Sequence, residues 1–403
     1  MTTLFERAST LQDELIELRR DLHRHPELAF REQRTAAEAA RRVETLGYSI
    51  RTGIARTGVV AELRNGDGPV VALRADMDAL PIREQNDVEY RSTVDGVMHA
   101  CGHDAHVAML TGAARLLADA RDAGELPAGT VRLLFQPSEE SSDRENKSGA
   151  RRMIEEGAMH DVAAVFGLHI GAHLPAGRAY LSAGPIMAGS DTFDMTVEGR
   201  SAHAARPHEG IDAIVLAAHT VLACQNAVAR RIAPADEGVL TIGMVRGGVA
   251  ENVLAERVAL RGTIRYFEER VRGALHRELR NAAGVAEALG GKATIDVRPG
   301  YPPVVNDREA TAIAREAIAN ALGSDAVVEF PPMMGAEDFA LLALEAPACF
   351  IWLGAALDPP REHHHPRFDI DERMLVHGAA ALAACATASL RDASRLTGSR
   401  PLR

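Results

Sequence analysis

The chain contains 403 residues, of which 46% are hydrophobic and 25% are charged, and its formal net charge is −11. This length predicts two domains, because a domain usually contains about 100–200 residues. The negative charge argues against nucleic acid and membrane surfaces as partners, since both are bound through a basic face. No apolar run approaches the ~20 residues that cross a membrane, and four scattered cysteines do not resemble a disulfide framework. We therefore expect a cytoplasmic protein.

The first half of the chain alternates predicted helices with short apolar strands. An amphipathic helix is predicted over residues 3–24 and ends before His25-Pro26, because the residue before a proline avoids the α region. Further helices are predicted at residues 35–46, 107–123 and 150–159, and strands at residues 59–63, 70–73, 131–135 and 162–168. This alternation is typical of an α/β domain with a mostly parallel sheet.

The pattern changes near Gly184-Pro185. Residues 192–198 alternate polar and apolar side chains, as an antiparallel strand with one solvated face does. The elements that follow are a helix at 210–230, strands at 238–245 and 257–266, a helix at 268–289 and a strand at 293–298. This β-α-β-β-α-β order is the ferredoxin-like arrangement, so we predict an inserted α+β domain at residues 187–298.

The α/β pattern returns after the insertion. A helix is predicted at residues 310–322, a buried strand at 349–353 and a closing helix at 374–390. The sequence therefore predicts a discontinuous α/β domain that consists of residues 1–186 and 299–403.

Side chains that bind metals follow the ends of several predicted strands. They are Asp76 and Asp78, Glu139 and Glu140, His169, and the histidine run 363–365. In open α/β sheets, ligand sites lie beyond the carboxyl ends of the strands, so these side chains are expected to meet at one edge of the sheet.

A Cys-Gly-His segment adds two more ligands to this edge. Cys101 and His103 would project to the same side of an extended loop, with Gly102 easing the backbone and Asp104 as N-cap of the next helix. Thiolate, imidazole and carboxylate all bind first-row metals, and their number exceeds the four ligands of one tetrahedral ion. Two metals about 3.5–4 Å apart, bridged by a carboxylate and a water, would use them all. His23, His25, His99 and His106 are assigned structural or supporting roles.

Seven motifs carry a resemblance to a known family. They are the segments at residues 74–81, 98–104, 136–140, 167–169, 201–203, 335–339 and 364–368. Together they resemble the M20 metallopeptidase family. More narrowly they resemble its amidohydrolase branch, which includes hippurate hydrolases, N-acyl-amino-acid amidohydrolases and indole-3-acetyl-amino-acid hydrolases.

The resemblance implies a site with two divalent metal ions. The implied ligands are Cys101, His103, Glu140, His169 and one histidine of the 363–365 run. The family pattern of a histidine two residues before proline selects His364, with His365 as the alternative. The implied metals are manganese or zinc, with nickel or cobalt as alternatives.

The resemblance also implies roles for other residues. Glu139 takes the position of the general base, and Asp78 that of an aspartate that orients a ligand. Residues 187–298 would form a lid and dimerisation domain, which makes a homodimer the expected assembly and a tetramer the alternative. From this domain we expect His203 to donate to the oxyanion, and Asn252 and Arg265 to hold a substrate carboxylate.

The implied activity is hydrolysis of N-acyl or N-aroyl amino acids to a carboxylic acid and an amino acid. A water bridging the two metals would attack the amide carbonyl, with Glu139 taking its proton and passing it to the leaving nitrogen. One alternative keeps the scaffold but acts as a deacetylase of biosynthetic intermediates, a ureido-acid hydrolase or a dipeptidase. Another is a metal-bound binding protein without catalysis.

Overall fold

The computed structural model describes residues 3–396. The chain separates into two compact units. The first comprises residues 3–186, 305–331 and 338–396, and the second comprises residues 187–304 and 332–337.

The helices and strands follow one another along the chain as predicted for an α/β protein with an insertion. The helices are α1 (Leu4–Ser9), α2 (Gln12–Arg24), α3 (Gln33–Glu44), α4 (His103–Asp122), α5 (Gly149–Glu155), α6 (Ala213–Asn226), α7 (Glu269–Ala288), α8 (Arg308–Leu322), α9 (Phe339–Ala343), α10 (Leu375–Arg391) and α11 (Ala393–Leu396). The strands are β1 (Ser49–Ile54), β2 (Gly58–Asn65), β3 (Val70–Asp76), β4 (Gly129–Gln136), β5 (Val162–Gly171), β6 (Ala179–Tyr180), β7 (Gly184–Met187), β8 (Gly189–Glu198), β9 (Gly238–Gly247), β10 (Arg257–Tyr266), β11 (Lys292–Pro299), β12 (Val304–Asn306), β13 (Val327–Val328) and β14 (Ala348–Gly354).

An eight-stranded sheet forms the centre of the first unit, in the order β1-β2-β4-β3-β5-β14-β6-β13. The four central strands β4, β3, β5 and β14 run parallel, whereas β1 and β2 pair antiparallel with their neighbours. Strand β6 pairs antiparallel with β14 and parallel with β13. The parallel strands are almost wholly buried, because helices pack on them; α4 and α10 contribute most of their length to this core. The predicted α/β class is confirmed.

Two elements of the first unit differ from the predicted ones. The helix predicted over residues 3–24 is two helices, because a capping box between Thr3 and Glu6 starts α1 and the chain turns at Thr10 before α2 begins. Strand β1 was not predicted, since its side chains are mostly exposed and give no apolar run.

The second unit holds a four-stranded antiparallel sheet in the order β11-β8-β10-β9, with α6 and α7 in the same core. Its chain order β8-α6-β9-β10-α7-β11 is the predicted ferredoxin-like arrangement. The helix predicted at 210–230 ends at Asn226 and continues as a π turn, Ala227–Arg231.

The second unit is larger than the 187–298 insertion that the sequence pattern predicts. Residues 299–304 belong to it because Gly300 donates a backbone hydrogen bond to Ser190. Residues 332–337 belong to it because Ala188 donates to the carbonyls of Met333 and Gly335. Such pairings are formed between segments far apart in the chain and leave no local sequence pattern.

Two helical segments are long and apolar enough to cross a membrane, judged by length and composition alone. They are Ala213–Arg231 and Glu372–Arg391. Neither is an uninterrupted apolar run, because the first contains Gln225 and the second Arg373. In the second, 78% of the apolar window is buried inside the structure, which is the environment of a core helix.

Candidate metal centre

The Cys-Gly-His segment is a tight turn into α4 rather than the predicted extended loop. Gly102 has a φ of 93°, in the left-handed region, and α4 begins at the next residue, His103. A Cβ at position 102 would lie 2.3 Å from Cγ2 of Ile170, so only glycine fits there. The glycine therefore lets the chain pass close to the end of β5.

Asp104 is not the N-cap of α4, because Gly102 occupies that position. Asp104 is instead fully buried, and it accepts hydrogen bonds from Nε of Arg19 at 2.9 Å and Nδ1 of His23 at 2.8 Å. Burial acts to raise the pKa of Asp104, but Arg19 and His23 outweigh it and hold that pKa well below its usual range. The carboxylate thus ties α2 to the first turn of α4.

Asp78 connects the carboxylate loop to His103. Its Oδ1 accepts the backbone N–H of Glu139 and its Oδ2 that of Glu140, each at 3.0 Å. The same Oδ1 lies 3.3 Å from Nδ1 of His103. One buried carboxylate therefore holds the backbone of two adjacent glutamates and lies beside a histidine. From this position Asp78 is able to orient a ligand, as the sequence predicts.

Asp76 and His106 form a second buried support. Nδ1 of His106 donates to Asp76 at 2.5 Å, while its Nε2 accepts the backbone N–H of Ile170 at 2.9 Å. These two bonds define the neutral tautomer with the proton on Nδ1. Arg74 donates to Asp76 and to Asp338, so both carboxylates have a cationic partner. His106 thus fixes the end of β5 relative to β3.

Glu139 and Glu140 follow β4, and Glu140 lies against the histidine run. Nε2 of His364 lies 2.9 Å from Oε1 of Glu140. The backbone N–H of His364 donates to the carbonyl of Ala100 at 2.8 Å, which holds the histidine run beside the Cys-Gly-His turn. His365 is exposed and accepts the backbone N–H of Arg367, so the structure brings His364 and not His365 to Glu140.

His169 is held with one ring nitrogen facing Cys101. Its Nδ1 donates to the carbonyl of Ile170 at 2.8 Å, and its Nε2 lies 3.5 Å from Sγ of Cys101. A histidine that donates from one nitrogen to a carbonyl presents a lone pair on the other, as metal-binding histidines do. Its ring stacks on that of Trp352 with centroids 4.4 Å apart, because the two residues are partners on β5 and β14.

All five predicted ligands and Glu139 converge in the first unit. Three overlapping groups have candidate ligand atoms within 4.8 Å of one another. They are Cys101 with His103 and His169, Cys101 with Glu140 and His364, and His103 with Glu139 and Glu140. Within residues 3–396, both ring nitrogens of His103 and Oε1 of Glu140 are buried and make no well-aligned hydrogen bond. Buried nitrogen and oxygen atoms without a hydrogen-bond partner are expected of side chains that bind a metal ion.

Burial and neighbouring charges shift the pKa values of three of these side chains, and the direction differs from one side chain to the next. Burial raises the pKa of the Cys101 thiol well above its usual value, and Glu140 and Glu139 add to that effect. Burial lowers the pKa of His103, but Asp76 and Asp78 outweigh it and raise it to about 10. Burial also lowers the pKa of His169, and His106 contributes in the same direction. The excess of carboxylates around His103 stabilises positive charge at this position.

The predicted residues of the second unit lie in two places. His203 bridges to Val253, and the carbonyl of Asn252 accepts the backbone N–H of Ala204 at 3.0 Å, so His203 and Asn252 share one loop region. Arg265 lies on β10 and is partly buried, and burial lowers its pKa. Among the described residues its guanidinium has no ion pair, which leaves it able to bind an anion.

We expect Gly102→Ala to abolish tight metal binding. A left-handed alanine costs about 1–2 kcal/mol, and the new Cβ would also displace Ile170 next to His169. Metal content after gel filtration checks the prediction. Gly96→Ala is the matched control, because Gly96 has a φ of 75° and no atom within 4 Å of an added Cβ. Equal metal retention in both variants would contradict the steric explanation.

Comparisons with known proteins agree with this geometry. Residues 72–388 match the model of peptidase family M20/M25/M40. N-acetyl-L-cysteine deacetylase of Bacillus subtilis (strain 168) is 38% identical over 370 residues, which cover 91% of this chain and 86% of that protein. IAA-amino acid hydrolase ILR1-like 2 of Arabidopsis thaliana is 37% identical over 400 residues, which cover 96% of this chain and 88% of that protein. The crystal structure of the Bacillus subtilis YXEP protein, described as a dinuclear metal binding peptidase, covers 95% of this chain and 99% of that one at 36% identity and a TM-score of 0.81.

The chain therefore belongs to peptidase family M20/M25/M40, and it is a hydrolase. The family resemblance carried by the seven motifs is confirmed. The clustered ligands and the relation to a dinuclear metal-binding protein make it a divalent-metal enzyme.

Proposed function

We propose that this hydrolase cleaves the amide bond of N-acyl or N-aroyl amino acids and releases a carboxylic acid and an amino acid. The observation that carries the proposal is the convergence of five candidate ligand side chains, two of which, His103 and Glu140, group with Glu139. Two relatives support the substrate class, since one is named for an N-acetyl amino acid and the other for an IAA-amino acid.

The donor set fits two divalent ions. They would be held by Cys101, His103, Glu140, His169 and His364. Glu140 belongs both to the group with Cys101 and His364 and to the group with His103 and Glu139. When bound, such ions polarise an amide carbonyl and lower the pKa of a water to near neutrality. The thiolate and imidazole ligands favour zinc on softness, and manganese, nickel and cobalt are the alternatives that the family resemblance implies.

Glu139 would act as the general base and then as the general acid. It would take a proton from the attacking water and deliver it to the amide nitrogen, which leaves poorly unless protonated. The support for this role is positional: Glu139 is buried, it neighbours Glu140, and its backbone is held by Asp78.

Three residues of the second unit complete the proposal. His203 would donate a hydrogen bond to the oxyanion, a contribution that is worth about 10²–10³ in rate at such positions. Asn252 and Arg265 would hold the substrate carboxylate. The support for Arg265 is its partly buried guanidinium, which forms no ion pair within residues 3–396.

The exposed apolar surface of the second unit supports a homodimer. Ile214, Val215 and Leu222 of α6 are exposed, as are Val245 of the edge strand β9 and Val249 in the following loop. Leu222 is 66% exposed and Val249 is 89% exposed. A Cβ at Gly248 would lie 3.6 Å from Ile214, so the helix and the loop belong to one patch. Patches of this kind mark interfaces between proteins.

We expect Leu222→Asp to convert the dimer to a monomer, because a charge would be buried in an apolar interface. Light scattering after gel filtration measures the mass. Leu344→Asp is the control, since Leu344 is 40% exposed but lies in the first unit. A wild-type monomer would contradict the proposed assembly, and a tetramer would show a second interface.

We also propose a cytoplasmic location. The four cysteines are free and buried, as expected of a protein that is kept in a reducing compartment.

A deacetylase is the second candidate, because a 38% identical relative is named for that reaction. A panel of N-acetyl, N-benzoyl and N-indole-3-acetyl amino acids, with dipeptides and ureido acids, separates the candidates by kcat/KM. Cleavage of N-acyl amino acids with several acyl groups supports the proposal, whereas cleavage of the N-acetyl compounds alone would assign the deacetylase. Preference for dipeptides or ureido acids would overturn the substrate class, and no hydrolysis of any amide by metal-loaded protein would favour a binding protein.

A further inference from the structure

Glu32 is a fully buried carboxyl group at the start of α3, outside the cluster of ligands. Its Oε1 accepts the backbone N–H of Phe30 at 2.8 Å and that of Ser138 at 2.9 Å, and its Oε2 accepts the hydroxyl of Thr57 at 2.6 Å. The three donors are neutral and come from three segments of the chain. Burying a carboxyl group among neutral donors costs desolvation free energy, so the burial of Glu32 calls for a functional reason.

The segments that meet at Glu32 are all unusual in backbone conformation. Phe30 has a φ of 59°, Ser138 a φ of 50°, and Thr57 directly follows Ala55 and Arg56, whose φ values are also positive. Non-glycine residues rarely adopt the left-handed region, and they keep it only where surrounding contacts enforce it. For Ser138 those contacts are Glu32 at its N–H, Gly149 at its carbonyl and the carbonyl of Ser141 at its hydroxyl.

Ser138 directly precedes Glu139 and Glu140. The left-handed turn at Ser138 determines the direction in which the chain leaves β4, and so determines where the two glutamates begin. Asp78 then holds the N–H groups of Glu139 and Glu140 from the other side. Three consecutive backbone N–H groups, of residues 138–140, are thus held by two buried carboxyl groups.

We propose that Glu32 is a positioning residue for the general base, which it aligns by holding Ser138 in its left-handed conformation. This inference rests on the proposed role of Glu139. Glu32 acts through the backbone and touches neither substrate nor metal ligand.

Hydrogen bonding rather than charge accounts for this role. The carboxyl group accepts its three hydrogen bonds from neutral donors, and burial raises the pKa of Glu32 to about 7. Glutamine can accept both backbone N–H groups at Oε1 and donate to the Thr57 hydroxyl from its amide nitrogen. Glu32→Gln is therefore the conservative variant, and Glu32→Ala removes all three bonds.

The test compares Glu32→Ala and Glu32→Gln as metal-loaded, full-length proteins. We expect Glu32→Ala to lower kcat by about 10–100-fold, with little change in KM or metal content. We expect Glu32→Gln to retain most of the wild-type kcat. Hydrogen exchange of peptides spanning residues 136–141, read by mass spectrometry, should accelerate in Glu32→Ala and stay slow in Glu32→Gln.

Glu27→Ala is the matched control. Glu27 also caps the start of α3, where its carboxylate accepts the N–H groups of Arg34 and Thr35, but it makes no contact with Ser138. We expect it to lower Tm without changing kcat or the exchange of residues 136–141. A merely structural Glu32 would behave in the same way as Glu27.

Two results would overturn the inference. One is a Glu32→Ala protein with wild-type kcat and unchanged exchange at residues 136–141. The other is a Glu32→Gln protein as impaired as Glu32→Ala. If Glu32→Ala does not fold, Thr57→Val, which removes one of the three bonds, takes its place, and wild-type kcat and exchange in that variant count against the inference. If the wild-type protein hydrolyses no amide, the proposed function fails, while the exchange experiment still decides whether Glu32 holds this loop.

Discussion

Replacing Glu139 with glutamine is expected to reduce kcat by about 10²–10⁴-fold, the usual contribution of a positioned acid–base group. Glutamine preserves the shape of the side chain but has no basic oxygen for the proton of the attacking water. The five proposed ligands remain in place, so the metal content should stay at the wild-type value. Steady-state kinetics and elemental analysis on one sample measure both quantities.

The control for this experiment is Glu145→Gln. Glu145 lies in the same loop region, is 65% exposed at its side chain and forms surface ion pairs with Lys147 and Arg152. The same chemical change there should leave kcat unaltered. If Glu139→Gln keeps its activity, another group is the base. If the Glu139→Gln protein loses its metal, Glu139 is a metal ligand, and the roles proposed for Glu139 and Glu140 are exchanged.

Asp78→Asn is expected to lower both metal affinity and kcat, each by about 10–100-fold. Asp78 accepts two backbone N–H groups, one on each oxygen, and lies beside Nδ1 of His103. Asparagine turns one of those oxygens into an NH₂ group, which then faces an N–H donor. Either Glu139 or Glu140 must move, and an unpaired buried donor costs about 1–3 kcal/mol.

The two variants therefore separate the two roles. Glu139→Gln should lose turnover alone, whereas Asp78→Asn should lose turnover and metal together, as shown by calorimetric titration of the metal-free protein. Asp67→Asn is the control for the second variant, because the side chain of Asp67 is 95% exposed. Unchanged metal affinity in Asp78→Asn would contradict its proposed role in orienting His103 and Glu140.

The residues that converge could be predicted because their positions follow a rule of the fold. Ligands near the carboxyl ends of parallel strands meet at one edge of the sheet. Glu140 follows the end of β4, and His169 lies near the end of β5. Cys101 and His103 could be added because two metal-binding residue types with a single glycine between them form a local pattern. The choice of His364 over His365 required the family resemblance, and His364 is also the one that lies beside Glu140.

The parts that could not be predicted depend on partners far away in the chain. Asp104 resembles an N-cap locally, but Arg19 and His23, about 80 residues earlier, bind its carboxylate. Glu32 is a charged residue between polar neighbours and looks like a surface residue. Its burial depends on Thr57 and Ser138, which no local periodicity connects to it.

The measurement that tests the central claim most directly is the hydrolysis of N-acyl amino acids by protein of known metal content. We predict that protein with two divalent ions per chain cleaves N-acetyl or N-aroyl amino acids at the amide bond. Removing the metal with a chelator should abolish the reaction, and adding it back should restore it. Full activity in metal-free protein, or no amide hydrolysis by protein that holds two ions, would contradict the account.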